Sequence, residues 1–258
     1  MKILSITLLS ALLLGITSAF AQNAHFTNSG VIEYEKSVNM FAMLKKQLDL
    51  YKDDSFLEQA YDSYRKNQPQ FKKLKSTLSF SDGRSEFVPA EPEESRMFFS
   101  NNAMVNQNNT IFTDFNSGTF ISQKSVFEET FLVKDSTRKI NWKITDETRE
   151  IAGFMCRRAN ALILDSIYVV AFYTERIPTP SGPESFTGLP GMILGVALPH
   201  ENITWFATKV TEKVVDDKSL APPKKGKPTD NKGLRKTLDN AIKDWGNWGK
   251  AYWKAFLI

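Results

Sequence analysis

Cysteine and histidine are scarce in this sequence of 258 residues, which contains one cysteine, Cys156, and two histidines, His25 and His200. A single cysteine cannot form a disulfide within the chain, so the stability of the fold has to come from packing. The sequence contains no HExxH, no CxxC and no histidine-rich tract, which are the spacings that dedicated transition-metal sites use. We therefore expect no metal site and no other cofactor.

Signatures of common enzymes are also absent, because the sequence contains no GxSxG elbow, no P-loop and no GxGxxG. These absences favour a non-catalytic protein, although residues scattered along the chain could still form a catalytic site. The remaining enzyme hypothesis uses Cys156 as a nucleophile with His200, and it requires an exposed, cationic setting that lowers the pKa of the thiol. The alternative is a buried free thiol that packs as a small apolar residue.

Long apolar runs occur only at the N-terminus of the sequence. Lys2 precedes an apolar run over residues 3–16, and Ala19-Phe20-Ala21 follows it. A positive start, a short apolar core and small residues two positions apart predict a secretory signal peptide over residues 1–21. Removal of Lys2 lowers the formal net charge from +4 to +3 (4 − 1), which is too small to favour nucleic-acid binding. We expect an exported protein that lies in the periplasm, at the outer membrane or outside the cell.

Two kinds of periodicity divide the rest of the chain. Residues 31–38 alternate between apolar and polar side chains, whereas residues 40–67 have apolar side chains at helical spacing and end before Pro69. From residue 71 to residue 210, short alternating runs follow one another without helices between them. This pattern predicts a mainly β (α+β) domain over residues 22–215. Its architecture would be a curved antiparallel sheet or half-barrel with an N-terminal helical insertion and a C-terminal amphipathic helix.

The C-terminal part of the sequence has two sections. Residues 216–232 are rich in proline and lysine and predict a linker. Residues 233–258 predict one basic amphipathic helix, with large apolar side chains on one face and lysines on the other. Its aromatic residues are candidates for contact with a membrane surface: Trp245, Trp248, Tyr252 and Phe256. The alternative is that the helix, over residues 234–258, docks its apolar face on the sheet.

A block of motifs between residues 142 and 196 resembles a known protein family. The motifs are Trp142-Lys143-Ile144-Thr145-Asp146-Glu147, Ile151-Ala152-Gly153-Phe154, Cys156-Arg157-Arg158-Ala159, Ala171-Phe172-Tyr173-Thr174 and Gly188-Leu189-Pro190-Gly191. In this order and over this length they resemble the GLPGLI family, a group of exported bacterial proteins with no assigned reaction. Phe172 replaces a tryptophan of the family pattern, and Met192 replaces a leucine. The resemblance implies an exported protein with a β-sheet fold, and it implies no reaction.

The Gly-Leu-Pro-Gly segment also has turn chemistry of its own. Proline fixes φ near about −65° and glycine can adopt a positive φ, so Pro190 and Gly191 suit the central positions of a type II turn. Gly188 permits close approach of the main chain. One interpretation is a structural corner that sets strand register. The other is a preformed rim for a ligand or a partner, formed by Phe186, Gly188, Leu189, Pro190 and Gly191.

The sequence thus leaves three functional hypotheses. The first is non-catalytic binding of an apolar small molecule or an envelope protein partner by the curved sheet. A concave apolar pocket lined by phenylalanine and tryptophan would favour this hypothesis, and a sheet with both faces filled would contradict it. The second is peripheral membrane association through residues 234–258. The third is the enzyme that depends on Cys156.

Overall fold

The computed structural model describes residues 26–50, 55–91, 102–106, 108–216, 218 and 220–258, without the side chains of Leu50, Asn247, Trp248 and Ala251. The strands are β1 (Gly30–Asn39), β2 (Phe71–Ser81), β3 (Arg84–Pro89), β4 (Asn109–Asp114), β5 (Thr119–Val126), β6 (Glu129–Ser136), β7 (Lys143–Ile151), β8 (Phe154–Ile163), β9 (Ile167–Thr174), β10 (Met192–Leu198), β11 (Ile203–Glu212) and β12 (Lys227–Thr229). The helices are α1 (Met40–Leu50), α2 (Ser55–Asn67), α3 (Ala103–Asn106), α4 (Asn231–Ile242) and α5 (Gly246–Leu257). Strands hold 45% of the chain and helices 24%, so the fold is mainly β, as predicted. The predicted signal peptide, residues 1–21, lies outside the described residues.

The strands form one open sheet in the order β12-β6-β5-β4-β3-β2-β1-β11-β10-β9-β8-β7. Strands β1–β6 form one antiparallel meander, β7–β11 form another, and the antiparallel pairing of β1 with β11 joins the two. The short strand β12 pairs in parallel with β6. Register shifts after Glu33, after Ile144 and after Ile193 mark bulges. Bulges bend and twist the strands that contain them, and the prediction of a curved antiparallel sheet is confirmed.

The helical insertion after β1 covers part of this sheet. The side chain of Asn39 accepts a hydrogen bond from the main-chain N–H of Ala42 at 3.1 Å, which caps the start of α1. Met40 and Leu44 of α1 and Tyr64 of α2 pack against buried side chains of β9, β10 and β11. The predicted helices within residues 40–67 are therefore present, and their apolar stripes are buried on the sheet.

Strand β9 is covered on both of its faces. Ile167, Val169 and Ala171 pack in one buried cluster with α1 and α2. Val170 and Phe172, which point the other way, pack in a second buried cluster. A strand with both faces buried is expected to be continuously apolar, and β9 has the sequence Ile-Tyr-Val-Val-Ala-Phe-Tyr-Thr. This part of the sheet therefore offers no open apolar face.

The C-terminal region differs from its prediction. The helix predicted over residues 233–258 is two helices, α4 and α5. They are separated because Gly246 has a φ of +54°, a left-handed conformation that ends helical geometry. The segment predicted as a linker, residues 216–232, contains β12, which lengthens the sheet beside β6. No helix among the described residues is long and apolar enough to cross a membrane.

Candidate functional site

The loop over residues 175–191, between β9 and β10, packs into the curved sheet. Phe186 and Leu189 are almost fully buried, and Phe186 contacts the ring of Trp205 on β11. Two main-chain hydrogen bonds attach the loop to the start of β10: Met192 N donates to Ile177 O at 2.9 Å, and Ile193 N donates to Ser181 O at 2.8 Å. The loop is thus part of the core.

The glycines of the Gly-Leu-Pro-Gly segment have roles opposite to those predicted. Gly188, and not Gly191, has a positive φ, at +90°. A Cβ atom on Gly191 would lie 2.2 Å from the main-chain oxygen of Thr174, so Gly191 is the position of close main-chain approach. The prediction of a type II turn centred on Pro190 and Gly191 is therefore wrong. The segment exposes Gly188 and Pro190 to solvent while Leu189 is buried, which fits a structural corner better than a binding rim.

A cluster of buried polar and charged side chains connects this loop to strands β1, β4 and β5. Glu184 has a φ of +52° and is buried, and its carboxylate accepts a hydrogen bond from Asn109 Nδ2 of β4 at 2.8 Å. Lys36 of β1 and Lys124 of β5 are also buried and interact electrostatically with Glu184. We call these four residues the Glu184 cluster. A non-glycine residue with positive φ persists only where its surroundings hold it, and here Asn109 and the two lysines do so.

The two lysines of the Glu184 cluster also bind main-chain carbonyl groups. Lys36 Nζ donates to Met104 O at 3.0 Å and to Val105 O at 2.9 Å, and it lies 5.0 Å from the centre of the Trp205 ring. Lys124 Nζ donates to Phe256 O at 3.1 Å. Each ammonium group thus fixes one segment against the sheet, α3 in the first case and the end of α5 in the second.

Burial governs the ionisation of the Glu184 cluster. It lowers the pKa of Lys36 and of Lys124 to about 8, against the opposing influence of the nearby Glu184 charge. Burial also raises the pKa of Glu184, and the two lysines and the Asn109 hydrogen bond oppose that rise. Both lysines are mainly protonated at neutral pH, and their charges favour the ionised form of Glu184 against the effect of burial. Their ammonium donors are already engaged with main-chain carbonyls, which makes the cluster a structural support and a poor acid–base site.

The end of α5 is held by a row of side-chain donors. Arg138 Nη2 donates to Leu257 O, and Ser185 Oγ donates to Ile258 O. Together with the Lys124 contact, three consecutive carbonyl groups of residues 256–258 are thereby bound to the sheet and to the loop that carries Glu184. The C-terminal helix is consequently an integral layer of the fold.

Cys156 and His200 do not resemble a catalytic pair. Cys156 is fully buried in the second apolar cluster, its Sγ donates to Phe154 O at 3.4 Å, and burial raises the pKa of its thiol to about 12. His200 is exposed in the 3-10 turn (Pro199–Glu201). The geometry is that of a packed apolar thiol. Within the described ranges, no three side chains of the types that bind metals lie close enough together to hold an ion.

The aromatic residues predicted to face a membrane contribute largely to packing. Phe256 is buried with Leu234 and Leu238 against β5 and β6. Tyr252 contacts Phe127 and Trp245, with ring centres 5.8 and 5.4 Å away. Trp245 remains 42% exposed, and the side chain of Trp248 lies outside the described residues. The apolar face of this region is thus docked on the sheet and is not free to enter a lipid bilayer.

Among the described residues, a cleft and a strand edge are open to other molecules. One is a cleft of about 560 Å³ between α4 and α5, lined by Ser166, Asp239, Ile242, Lys243, Gly246, Gly249, Lys250, Trp253 and Lys254. The other is the outer edge of β7, the last strand of the sheet, whose residues are exposed or half-buried apart from Ile151. Beside this edge, Ile144 is 40%, Met155 59% and Leu162 60% exposed.

Sequence reasoning missed the Glu184 cluster. One local signal existed, because Lys36 falls on the otherwise apolar face of β1 with Ile32, Tyr34 and Val38. Nothing local indicated that Lys124 and Glu184, far apart in the chain, would meet this lysine. Glu184 itself stands in a segment of glycine, proline and serine that is typical of a solvated loop.

Comparison with known proteins identifies similarity in sequence and in fold. A family model described as "Protein of unknown function (Porph_ging)" matches residues 162–195, which include β9 and the loop over residues 175–191. No curated protein matches the chain.

Two crystal structures of PNGF-II are similar in fold. The P21 form has a TM-score of 0.51 and 17% identity, with 84% of this chain and 34% of that chain covered. The C2 form has a TM-score of 0.51 and 15% identity, with 88% and 33% covered. At this level of identity the likeness concerns the fold alone. The chain spans about a third of the length of the PNGF-II chains.

Proposed function

We propose that the protein is an exported, non-catalytic binding protein that recruits an envelope protein partner by strand addition at β7. The observation that carries this proposal is the open end of the sheet. Strand β7 has nine residues, and among the described residues no strand pairs with its outer edge. An exposed edge presents unpaired main-chain donors and acceptors, and partner strands commonly add to such edges.

The packing of the interior favours a protein partner over an apolar small molecule. The loop over residues 175–191 and the helices α1 and α2 cover one face of the sheet with buried side chains. Strand β9 is buried on its other face as well. Binding of an apolar small molecule by the sheet would be favoured by a concave apolar pocket, and buried side chains occupy both faces of the sheet at β9.

The composition of the β7 edge suits a selective contact. Ile144 on β7 is an exposed apolar side chain, and Met155 and Leu162 are exposed on the neighbouring strand β8, so this region supplies surface that gains from burial. Charged residues stand between them: Asp146 lies 3.9 Å from Arg157, and Glu147 lies 2.5 Å from Arg158. Charges and a bulge on an edge strand discourage indiscriminate pairing. The edge would therefore pair with a partner strand whose charges are complementary to its own, and it would disfavour most other strands.

The envelope location belongs to the same proposal. Its support is the signal-peptide pattern of residues 1–21 and the resemblance of residues 142–196 to the exported GLPGLI family. The match of residues 162–195 to a family of unknown function is consistent with that resemblance and assigns no reaction.

Site-specific photo-crosslinking in the native envelope tests the proposal. A photoreactive phenylalanine analogue replaces Thr148, which is exposed on β7, and in a control it replaces Thr77, which is exposed on β2 between two paired strands. We expect one adduct of defined mass from position 148 and none from position 77. An adduct of twice the mass of the chain would identify a second copy as the partner. No adduct at 148, together with an apolar molecule that co-purifies in native mass spectrometry, would reject partner binding in favour of ligand binding.

A further inference from the structure

We propose that the cleft between α4 and α5 binds a phosphate-bearing anion. The cleft has a volume of about 560 Å³, which is within the range of small-molecule sites. This inference does not depend on the proposed role of β7, because no residue of β7 lines the cleft.

The charge of the cleft favours an anion. Lys243, Lys250 and Lys254 line it, with Asp239 as the one acidic lining residue. Lys254 is paired with Glu201 at 2.8 Å, and the Asp239 carboxylate accepts a hydrogen bond from Trp253 Nε1 at 3.1 Å. Lys243 and Lys250 have no ion pair within the described part of the chain. The cleft therefore has two ammonium groups outside any ion pair, and its lining has more cations than anions.

The walls of the cleft indicate that the anion carries an organic group. Ile242 and the indole of Trp253 supply apolar and aromatic surface beside the lysines. Gly246 is exposed, with no atom within 4 Å of the position of a Cβ atom, so an oxyanion can approach the main chain closely there. A Cβ atom on Gly249 would lie 2.8 Å from Ile242 O, so this glycine also allows the close packing of the two helices that forms the cleft.

Two kinds of molecule present a phosphate group attached to an organic group: a soluble phosphate ester and the headgroup of an anionic lipid. Both present a phosphate oxygen to lysine donors. A lipid source would bring a membrane surface close to the exposed ring of Trp245, the residue before Gly246. This contact would involve the lysines and one tryptophan, since the apolar face of α4 and α5 is already buried on the sheet.

Binding measurements on the purified exported chain test the site. The probes are glycerol 3-phosphate by calorimetry, and phosphatidylglycerol against phosphatidylcholine vesicles by cosedimentation. The double variant Lys243→Ala/Lys250→Ala removes the two free cations. The matched control, Lys232→Ala/Lys236→Ala, removes two exposed lysines of α4 that do not line the cleft.

Each outcome decides one point. We expect the cleft variant to lose affinity at least about tenfold and the control to lose less than about twofold. Binding of glycerol 3-phosphate identifies a soluble ester, and binding of phosphatidylglycerol vesicles alone identifies a lipid headgroup. No binding of either probe, or an equal loss in both double variants, would overturn the site, because equal losses indicate diffuse attraction to a basic surface. Thr148 crosslinking is a separate readout, so failure here leaves the β7 proposal standing.

Discussion

Replacing Glu184 by glutamine tests whether the charges of the Glu184 cluster stabilise one another. The substitution keeps the size of the side chain and an oxygen that can accept the Asn109 hydrogen bond. It removes the negative charge that faces Lys36 and Lys124. Two effects oppose each other at pH 7, because the buried lysines lose their counter-ion while the desolvation of the carboxylate, which raises the pKa of Glu184, is removed. We expect the free energy of unfolding to fall by no more than about 3 kcal/mol.

The upper limit of this loss follows from the lysines. Burial, opposed by Glu184, places the pKa of Lys36 and of Lys124 at about 8. Deprotonating one such group at pH 7 costs about 1.4 kcal/mol. If both lysines release their protons in the variant, no buried cation is left without a counter-ion. The cost of these two deprotonations, about 3 kcal/mol, is therefore the largest loss in the free energy of unfolding that we expect. The loss should disappear near pH 9.5, where both lysines are already neutral in the wild-type protein.

The same groups determine whether the stability of the wild-type protein rises or falls with pH. The folded pKa of about 8 lies below the ordinary value of 10.5, so the folded state binds fewer lysine protons between these pH values. The contribution of the lysines to stability therefore rises with pH across this window. Glu184 acts in the opposite sense above its ordinary pKa of 4.5, because its raised folded pKa makes ionisation unfavourable as the pH rises.

Urea unfolding at pH 7 and at about pH 9.5, followed by tryptophan fluorescence, measures these effects. Trp205 packs against Lys36 and reports on the core. Glu128→Gln removes the same charge from an exposed position and should change the free energy of unfolding by less than about 0.5 kcal/mol. A loss for Glu184→Gln well above about 3 kcal/mol, or an equal loss at both pH values, would refute the reasoning.

Three further predictions concern local structure. Cys156 should resist iodoacetamide in the folded protein and react after unfolding, because burial raises its pKa to about 12; mass spectrometry detects the label. Gly191→Ala should lower the stability by about 3 kcal/mol or more, since its Cβ would lie 2.2 Å from the oxygen of Thr174. Gly118→Ala, at a φ of +66° with no atom within 4 Å, should cost only about 1 kcal/mol, and thermal unfolding measures both glycine variants. Asp230→Ala should cost about 1 kcal/mol by uncapping α4, and Asp230→Asn should restore most of it.

The fold could be predicted because its signals are local. Alternation in β1 and helical spacing in α1 and α2 are direct consequences of side-chain geometry and required no knowledge of distant contacts. The break between α4 and α5 was harder to predict. Gly246 is compatible with a weakened helix as well as with a positive φ, and sequence alone does not decide between them.

The Glu184 cluster could not be predicted because its partners come from separate parts of the chain. Lys124 occupies an inward position of β5, but the neighbouring Gln123 and Ser125 are also polar, so alternation gives no warning there. Glu184 is buried only because its loop folds into the sheet and meets Asn109. The exposed edge of β7 could not be predicted for a related reason, since strand order depends on pairings between residues far apart in sequence.

The location of the family match bears on where function lies. Residues 162–195 include β9 and the loop that holds Phe186 and Leu189, and these are among the most buried parts of the described chain. Sequence similarity over such a segment reports shared packing requirements, because buried positions are constrained by volume and by close main-chain approach. The open edge of β7 lies outside the matched residues, and Ser166 is the one lining residue of the cleft between α4 and α5 that lies within them. Proteins that share this segment can therefore share a fold while binding different partners, and the β7 and cleft variants test function where the packing variants test only stability.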